Sequence, residues 1–180
     1  MSSLSAHDKA VLEIVFNPNL PLGDFATNWE PEELKDEEEE TPDILWSKQM
    51  ELNAIEIAEK GNLQEGLDVL NRAMKITHDR PSLYNNRAYI FQFLRQFQDA
   101  FNDLTTAIDL CTDKHKKTLC QAYCQRGILH KRADRKELAK VDFEKAAELG
   151  SKFAKSQLVE LNPYAALCNQ MLRQVMDKLK

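Results

Sequence analysis

From residue 43 onward, apolar residues recur at three- and four-residue spacing almost without interruption. That is the period of helices lying against a core, and the pattern predicts an all-α chain. Residues 5–16, with Val11, Leu12, Ile14, Val15 and Phe16, predict a short N-terminal helix stopped by Asn17-Pro18. Residues 17–42 hold four prolines and no helical period, so they are expected to form a linker. A last helix is expected after Asn162-Pro163, with Tyr164, Leu167, Met171, Leu172, Val175 and Leu179 forming one apolar stripe.

The helical zone repeats itself. Ala54, Ile57, Gly66, Leu70 and Ala73 superimpose on Ala88, Phe91, Ala100, Leu104 and Ala107, each pair 34 positions apart. A third copy, Gly127, His130, Ala139, Phe143 and Ala146, is displaced by 39, one period plus a five-residue insertion near His115 to Leu119. The unit is a helical hairpin. Small residues at Ala54/Ala88/Gly127 and Gly66/Ala100/Ala139 let its two helices approach, and Met50/Tyr84/Tyr123 and Leu70/Leu104/Phe143 fill the space beside them. One hairpin cannot bury its own apolar face, so an α-solenoid of three hairpins is expected, at 47–80, 81–114 and 120–153. A solenoid end needs a lid. Residues 154–180, with the C-terminal stripe as capping helix, are expected to provide it.

Composition adds exclusions. Five Gly and six Pro in 180 residues are too few for the turns of a β-sandwich or barrel. The net charge of −5 is uneven: residues 30–40 hold eight carboxylates against one lysine, and residues 112–155 hold twelve Lys or Arg against six Asp or Glu. The acidic run is expected to be a solvated linker, with attraction to the basic body as the alternative. Met1 to Ala10 lacks the apolar core of a signal peptide, and no stretch approaches about 18 apolar residues. A soluble, cytoplasmic chain with reduced thiols is therefore expected, without membrane contact.

A 34-residue helix–turn–helix period with this small/large pattern resembles the tetratricopeptide repeat over roughly residues 47–153. Tyr84-Asn85-Asn86-Arg87-Ala88 resembles the start of many chaperone-cofactor repeats. His78, Thr112 and Ser151 stand where such repeats usually end in proline, and Gly66 and His130 replace an alanine and an aromatic. The flanks extend the likeness. Phe16-Asn17-Pro18 ahead of Gly23-Asp24, the acidic run, and Leu161-Asn162-Pro163-Tyr164-Ala165-Ala166-Leu167-Cys168-Asn169 resemble the tetratricopeptide repeat protein 36 family over nearly the whole chain. The resemblance implies a non-enzymatic adaptor associated with heat-shock protein 70 class chaperones, and a looser link with cilia. A scaffold in a ciliary or metabolic-enzyme complex is the alternative.

In such solenoids the first helix of each hairpin lines the concave groove. By repeat position, Leu52, Ile55, Asn86, Tyr89, Phe93, Gln125, Ile128 and Arg132 are the candidate peptide-binding residues, with Lys48, Glu59, Ser82 and Gln121 beside them. Ile55, Tyr89 and Ile128 form an apolar row; Leu52, Asn86 and Gln125 form a partly polar one, whose amides suit an extended peptide backbone. Occupation by a protein or peptide partner and occupation by the chain's own N-terminal segment both remain open. The carboxylate clamp of chaperone-binding repeats is broken, because of its residues only Asn86 is present. Glu51, Ile55, Gln121 and Gln125 stand where Lys, Asn, Lys and Arg are needed.

Other chemistries find no support. Cys111/His115 and Cys120/Cys124 are i, i+4 pairs but contain no C-x-x-C, so no zinc site and no cofactor is expected. His7 and His78 have no partnered nucleophile, His130 sits at a core position, and scattered glycines build no phosphate loop. Lys114-His115-Lys116-Lys117 is short and lacks an aromatic platform, so neither catalysis nor nucleic-acid binding is expected. The oligomeric state is not encoded in any of these patterns.

Overall fold

The computed structural model describes residues 34–162 together with Tyr164, Leu167, Cys168, Met171 and Val175. The helix expected at 5–16, the start of the linker, and Leu172 and Leu179 lie outside the described residues. Thr41 starts the first helix, its hydroxyl accepting from the Ile44 amide ahead of Pro42 at the first helical position. The helices are α1 (Pro42–Glu59), α2 (Leu63–Met74), α3 (Pro81–Phe93), α4 (Phe97–Leu110), α5 (Lys116–Arg132), α6 (Lys136–Glu148) and α7 (Lys152–Leu161). Among the described residues, the only β-type pairing is one isolated antiparallel bridge, Asp36 to His115.

Consecutive helices pair as hairpins, α1 with α2, α3 with α4 and α5 with α6, and each pair stacks on the next. The three hairpin turns use the same left-handed residue, Gly61 (φ 93°), Arg95 (φ 61°) and Asp134 (φ 55°). Glycine adopts that conformation without a Cβ penalty, whereas Arg95 and Asp134 carry strain. Every small position of the repeat is buried. Ala54, Ala88, Ala100 and Ala139 are fully enclosed, Gly66 lies against the Ala54 carbonyl, and a Cβ on Gly127 would stand 2.7 Å from the Phe143 ring. Phe143 itself is fully buried, as the repeat register requires.

Two features differ from the sequence reading. The described stripe residues Tyr164, Leu167, Met171 and Val175 stand exposed, Tyr164 at 72%. Within the region expected to cap, α7 does the packing: Ala154 is buried, and Leu158 and Leu161 join the cluster around Phe143 and Ala146. Ser151 starts α7 by accepting from the Ala154 amide, directly after Gly150 ends the third hairpin at φ 99°. Among the described residues, α7 is the element that covers the open end.

The second difference is the acidic run. Residues 34–40 are a strap seated on the repeats, not a solvated linker. Leu34 packs on the third core cluster, and the Glu37 amide donates to the Lys114 carbonyl at 2.8 Å. Asp36 Oδ1 accepts from the amides of Lys117 (2.9 Å) and Thr118 (3.1 Å), and Oδ2 accepts from the Thr118 hydroxyl. His115, at the cap position of α5, offers no side-chain cap of its own. A carboxylate 81 residues upstream of Lys117 therefore satisfies the orphan donors at the positive end of that helix. The five-residue insertion sits at this first turn of α5 and receives the strap.

Candidate functional site

The first helices α1, α3 and α5 lie side by side, with α3 touching both of the others. The candidate residues on them divide into two groups. Leu52, Tyr89, Phe93 and Ile128 are exposed large apolar side chains, Leu52 and Phe93 each at 58%. Ile55 is half-buried, and the Tyr89 and Phe93 rings meet edge to face with centroids 4.8 Å apart. So much solvent-facing apolar area on neighbouring helices is the kind of surface that a partner covers.

The amides behave otherwise. Asn86 Nδ2 donates to Glu51 Oε1 at 2.5 Å. Gln125 Nε2 donates to Asn85 Oδ1 at 2.8 Å, while its Oε1 accepts from Gln92 Nε2 at 2.6 Å. The amides expected to grip a peptide backbone are thus engaged by the chain itself. Its groups are paired because they are half-buried, and an unpaired amide there would carry a desolvation penalty.

At the strap end the same principle operates with charge. Arg80, 5% exposed, donates to both Glu38 oxygens at 2.9 and 3.1 Å, to Glu51 at 2.9 Å and to Ser47 Oγ at 2.8 Å. Ser82 adds a hydrogen bond to Glu51 at 3.2 Å, and Thr77 adds one to Ser47 at 2.6 Å. Lys48 pairs with Glu38 at 3.2 Å. Burial raises the Glu38 carboxyl, but Arg80 and Lys48 outweigh it and hold the group below its ordinary range. Burial likewise works against the Arg80 charge, and the two glutamates more than restore it. Lys48 and Ser82, expected beside a peptide, belong instead to this closed network.

Arg132 lies at the far end of the row, stacked on Phe97 with 3.9 Å from guanidinium carbon to ring centroid. Among the described residues, no group of three His, Cys, Asp or Glu side chains could hold a metal ion, and no helix is long and apolar enough to cross a membrane. His115 Nδ1 accepts from the Thr112 amide, and Cys120 packs in the third core cluster. Cys124 lies 3.3 Å from Ser151 Oγ, and hydrogen bonding from Cys120, helped by Ser151, holds its thiol pKa below the ordinary range against burial.

A family model described as tetratricopeptide repeat matches residues 121–151. The tetratricopeptide repeat protein 36 homolog of Drosophila melanogaster is 46% identical over 181 residues, covering 99% of this chain and 97% of that protein. Tetratricopeptide repeat protein 36 of Danio rerio is 44% identical over 178 residues, covering 98% and 95%. The chain belongs to the tetratricopeptide repeat protein 36 family. The first tetratricopeptide repeat domain of Spaghetti (RPAP3), solved with the HSP90 peptide SRMEEVD, has the same fold at TM-score 0.58 and 24% identity, over 67% of this chain and 93% of that one. The second such domain of human RPAP3, solved with the HSP70 peptide SGPTIEEVD, matches at TM-score 0.56 and 21% identity, over 66% and 97%.

Two features of the structure were not anticipated from the sequence. Arg87 pairs with Asp103 at 2.7 Å and Arg126 with Asp142 at 2.8 Å. These pairs are related by the same 39-residue shift, so the register itself was the available signal. The Glu38–Arg80–Glu51 network had no such signal. Its members come from the strap, the inter-repeat turn and α1, which only the fold brings together.

Proposed function

We infer that the chain is a non-enzymatic protein-interaction adaptor whose apolar row, Leu52, Ile55, Tyr89, Phe93 and Ile128, receives an apolar segment of a heat-shock protein 70 class chaperone. One observation carries this reading: Leu52, Tyr89, Phe93 and Ile128 are exposed while the polar groups around them are satisfied internally. Exposed aromatic side chains at the middle of such a surface carry a disproportionate share of binding energy. Related folds solved with acidic chaperone peptides support a chaperone partner, and family membership supports an adaptor. A terminal carboxylate is not the recognised feature. Glu51 stands at the clamp position and already draws Arg80, Ser82 and Asn86 to itself.

The test is capture of full-length HSP70, and of HSP70 lacking its terminal EEVD, by the full chain and by its Tyr89→Ala/Phe93→Ala variant. Equal capture of both chaperones by the wild type, and none by a folded variant, is the expected result. Capture that disappears with the EEVD motif would contradict the reading. Capture of a different specific protein through Tyr89 and Phe93, with no HSP70, would favour a scaffold in a non-chaperone complex.

A further inference from the structure

Beyond the far end of the apolar row, between α4 and the turn joining α5 to α6, lies a cavity of about 220 Å³. Phe97, Phe101 and Leu129 supply its apolar lining, and Arg132 and Arg135 its charged rim. Each guanidinium lies over a ring, Arg132 with its central carbon 3.9 Å from the Phe97 centroid and Arg135 with its own 5.6 Å from that of Phe101. Stacking occupies a guanidinium face and leaves its in-plane N–H edge available as a fork. Among the described residues, neither arginine has a carboxylate within ion-pair distance, whereas Arg80, Arg87 and Arg126 are all neutralised. Asp134 lies between them in sequence, but its carboxylate turns to Lys136 at 3.5 Å. Its left-handed turn fixes the backbone that presents both arginines.

We propose that this cavity binds an aryl phosphate, as carried by a phosphotyrosine side chain of a partner protein. Two guanidinium forks at one rim match a dianionic oxyanion better than a monoanionic carboxylate. The ring-lined interior takes the aryl group, and the volume admits one ring, falling below the roughly 300 Å³ at which drug-sized sites begin. A buried reporter lies behind it. His130 meets the Phe101 ring edge to face at 5.2 Å, and its Nδ1 is buried without a hydrogen-bond partner. Burial lowers the His130 pKa, Asp142 opposes this, and Arg135 and Arg126 lower it further. An anion seated on Arg135 offsets that positive charge and moves His130 back upward.

The site stands whether or not the apolar row receives a chaperone, because its test uses a small probe. Full-length labelled protein is titrated with phenyl phosphate, following the Arg132 and Arg135 side-chain N–H signals, the Phe97 and Phe101 amides and the His130 ring by NMR. Phosphoserine and phenylacetate serve as comparison ligands. The expected result is saturable shifts at those signals, a rise in the His130 pKa, and affinity lowered roughly tenfold by Arg132→Gln or Arg135→Gln with the helical spectrum unchanged. Phosphoserine and phenylacetate should each bind more weakly than phenyl phosphate. Absence of saturable shifts, or equal affinity in the double variant, would overturn the site. Equal binding of phenylacetate would overturn the phosphate assignment, and equal binding of phosphoserine the aryl assignment.

Discussion

Glu51 holds the side-chain amide of Asn86, its Oε1 accepting from Nδ2 at 2.5 Å across the packed faces of α1 and α3. That bond makes Asn86 a structural member of the first-helix array. It separates two roles that repeat position alone assigns jointly to Asn86 and Tyr89. Asn86→Ala is expected to lower stability by about 1–2 kcal/mol, leaving Glu51 one donor short, while partner capture by the folded fraction persists. Tyr89→Ala should do the reverse: near-normal stability with capture weakened by roughly 2 kcal/mol or more. Denaturant melts paired with pull-downs separate the two.

The strap is expected to be part of the cooperative unit. Glu38→Gln keeps the shape but removes the charge that faces buried Arg80, at an expected cost of about 1–3 kcal/mol. Because the native carboxyl is held below its ordinary value, its contribution is complete above the unfolded value, about 4.3, and fades as pH falls through the lowered native value. The stability difference between wild type and Glu38→Gln should therefore be constant from neutral pH to about 5 and shrink in stronger acid. A difference that vanished near neutrality would refute this contact.

Close helix approach in the third hairpin can be tested from both sides. Gly127→Ala places a methyl 2.7 Å from the Phe143 ring, and overpacking of about 1–3 kcal/mol should exceed the helix-propensity gain of about 1 kcal/mol. Phe143→Ala should cost about 3–5 kcal/mol. In the double variant the overpacking penalty should disappear, giving a non-additive cycle measurable by thermal denaturation.

Arg95 occupies the left-handed turn position that Gly61 occupies in the first hairpin. Arg95→Gly removes the Cβ clash and should raise stability by up to about 1 kcal/mol, even though glycine frees the unfolded chain. Calorimetry that shows a lower melting temperature would contradict the strain assignment.

The hairpins were legible because burial of small residues imposes identity at fixed spacing. Ala54, Ala88 and Gly127 can be read directly, since any larger side chain would push two helices apart. The exposed apolar members of the row, Leu52, Tyr89, Phe93 and Ile128, follow from the same register. What stayed hidden depends on long-range pairing. Asp36 looks like one more solvated carboxylate until α5 presents its uncapped first turn, and Asn86 and Gln125 look available until Glu51, Asn85 and Gln92 are brought beside them. The exposure of the described stripe residues Tyr164, Leu167, Met171 and Val175 has a related reason. Helical periodicity records an amphipathic face without recording what covers it, and among the described residues it is α7 that packs on the third hairpin.

Mapping HSP70 onto the full chain by NMR distinguishes whether the apolar row or the amide row meets the partner. HSP70 with and without its terminal EEVD is added in turn while the methyl signals of Ile55 and Ile128 and the side-chain amides of Asn86 and Gln125 are followed. The expected result is large methyl shifts with the amides unmoved, since Glu51, Asn85 and Gln92 keep them engaged. Amide shifts with unmoved methyls, seen only when the EEVD motif is present, would contradict contact through the apolar row.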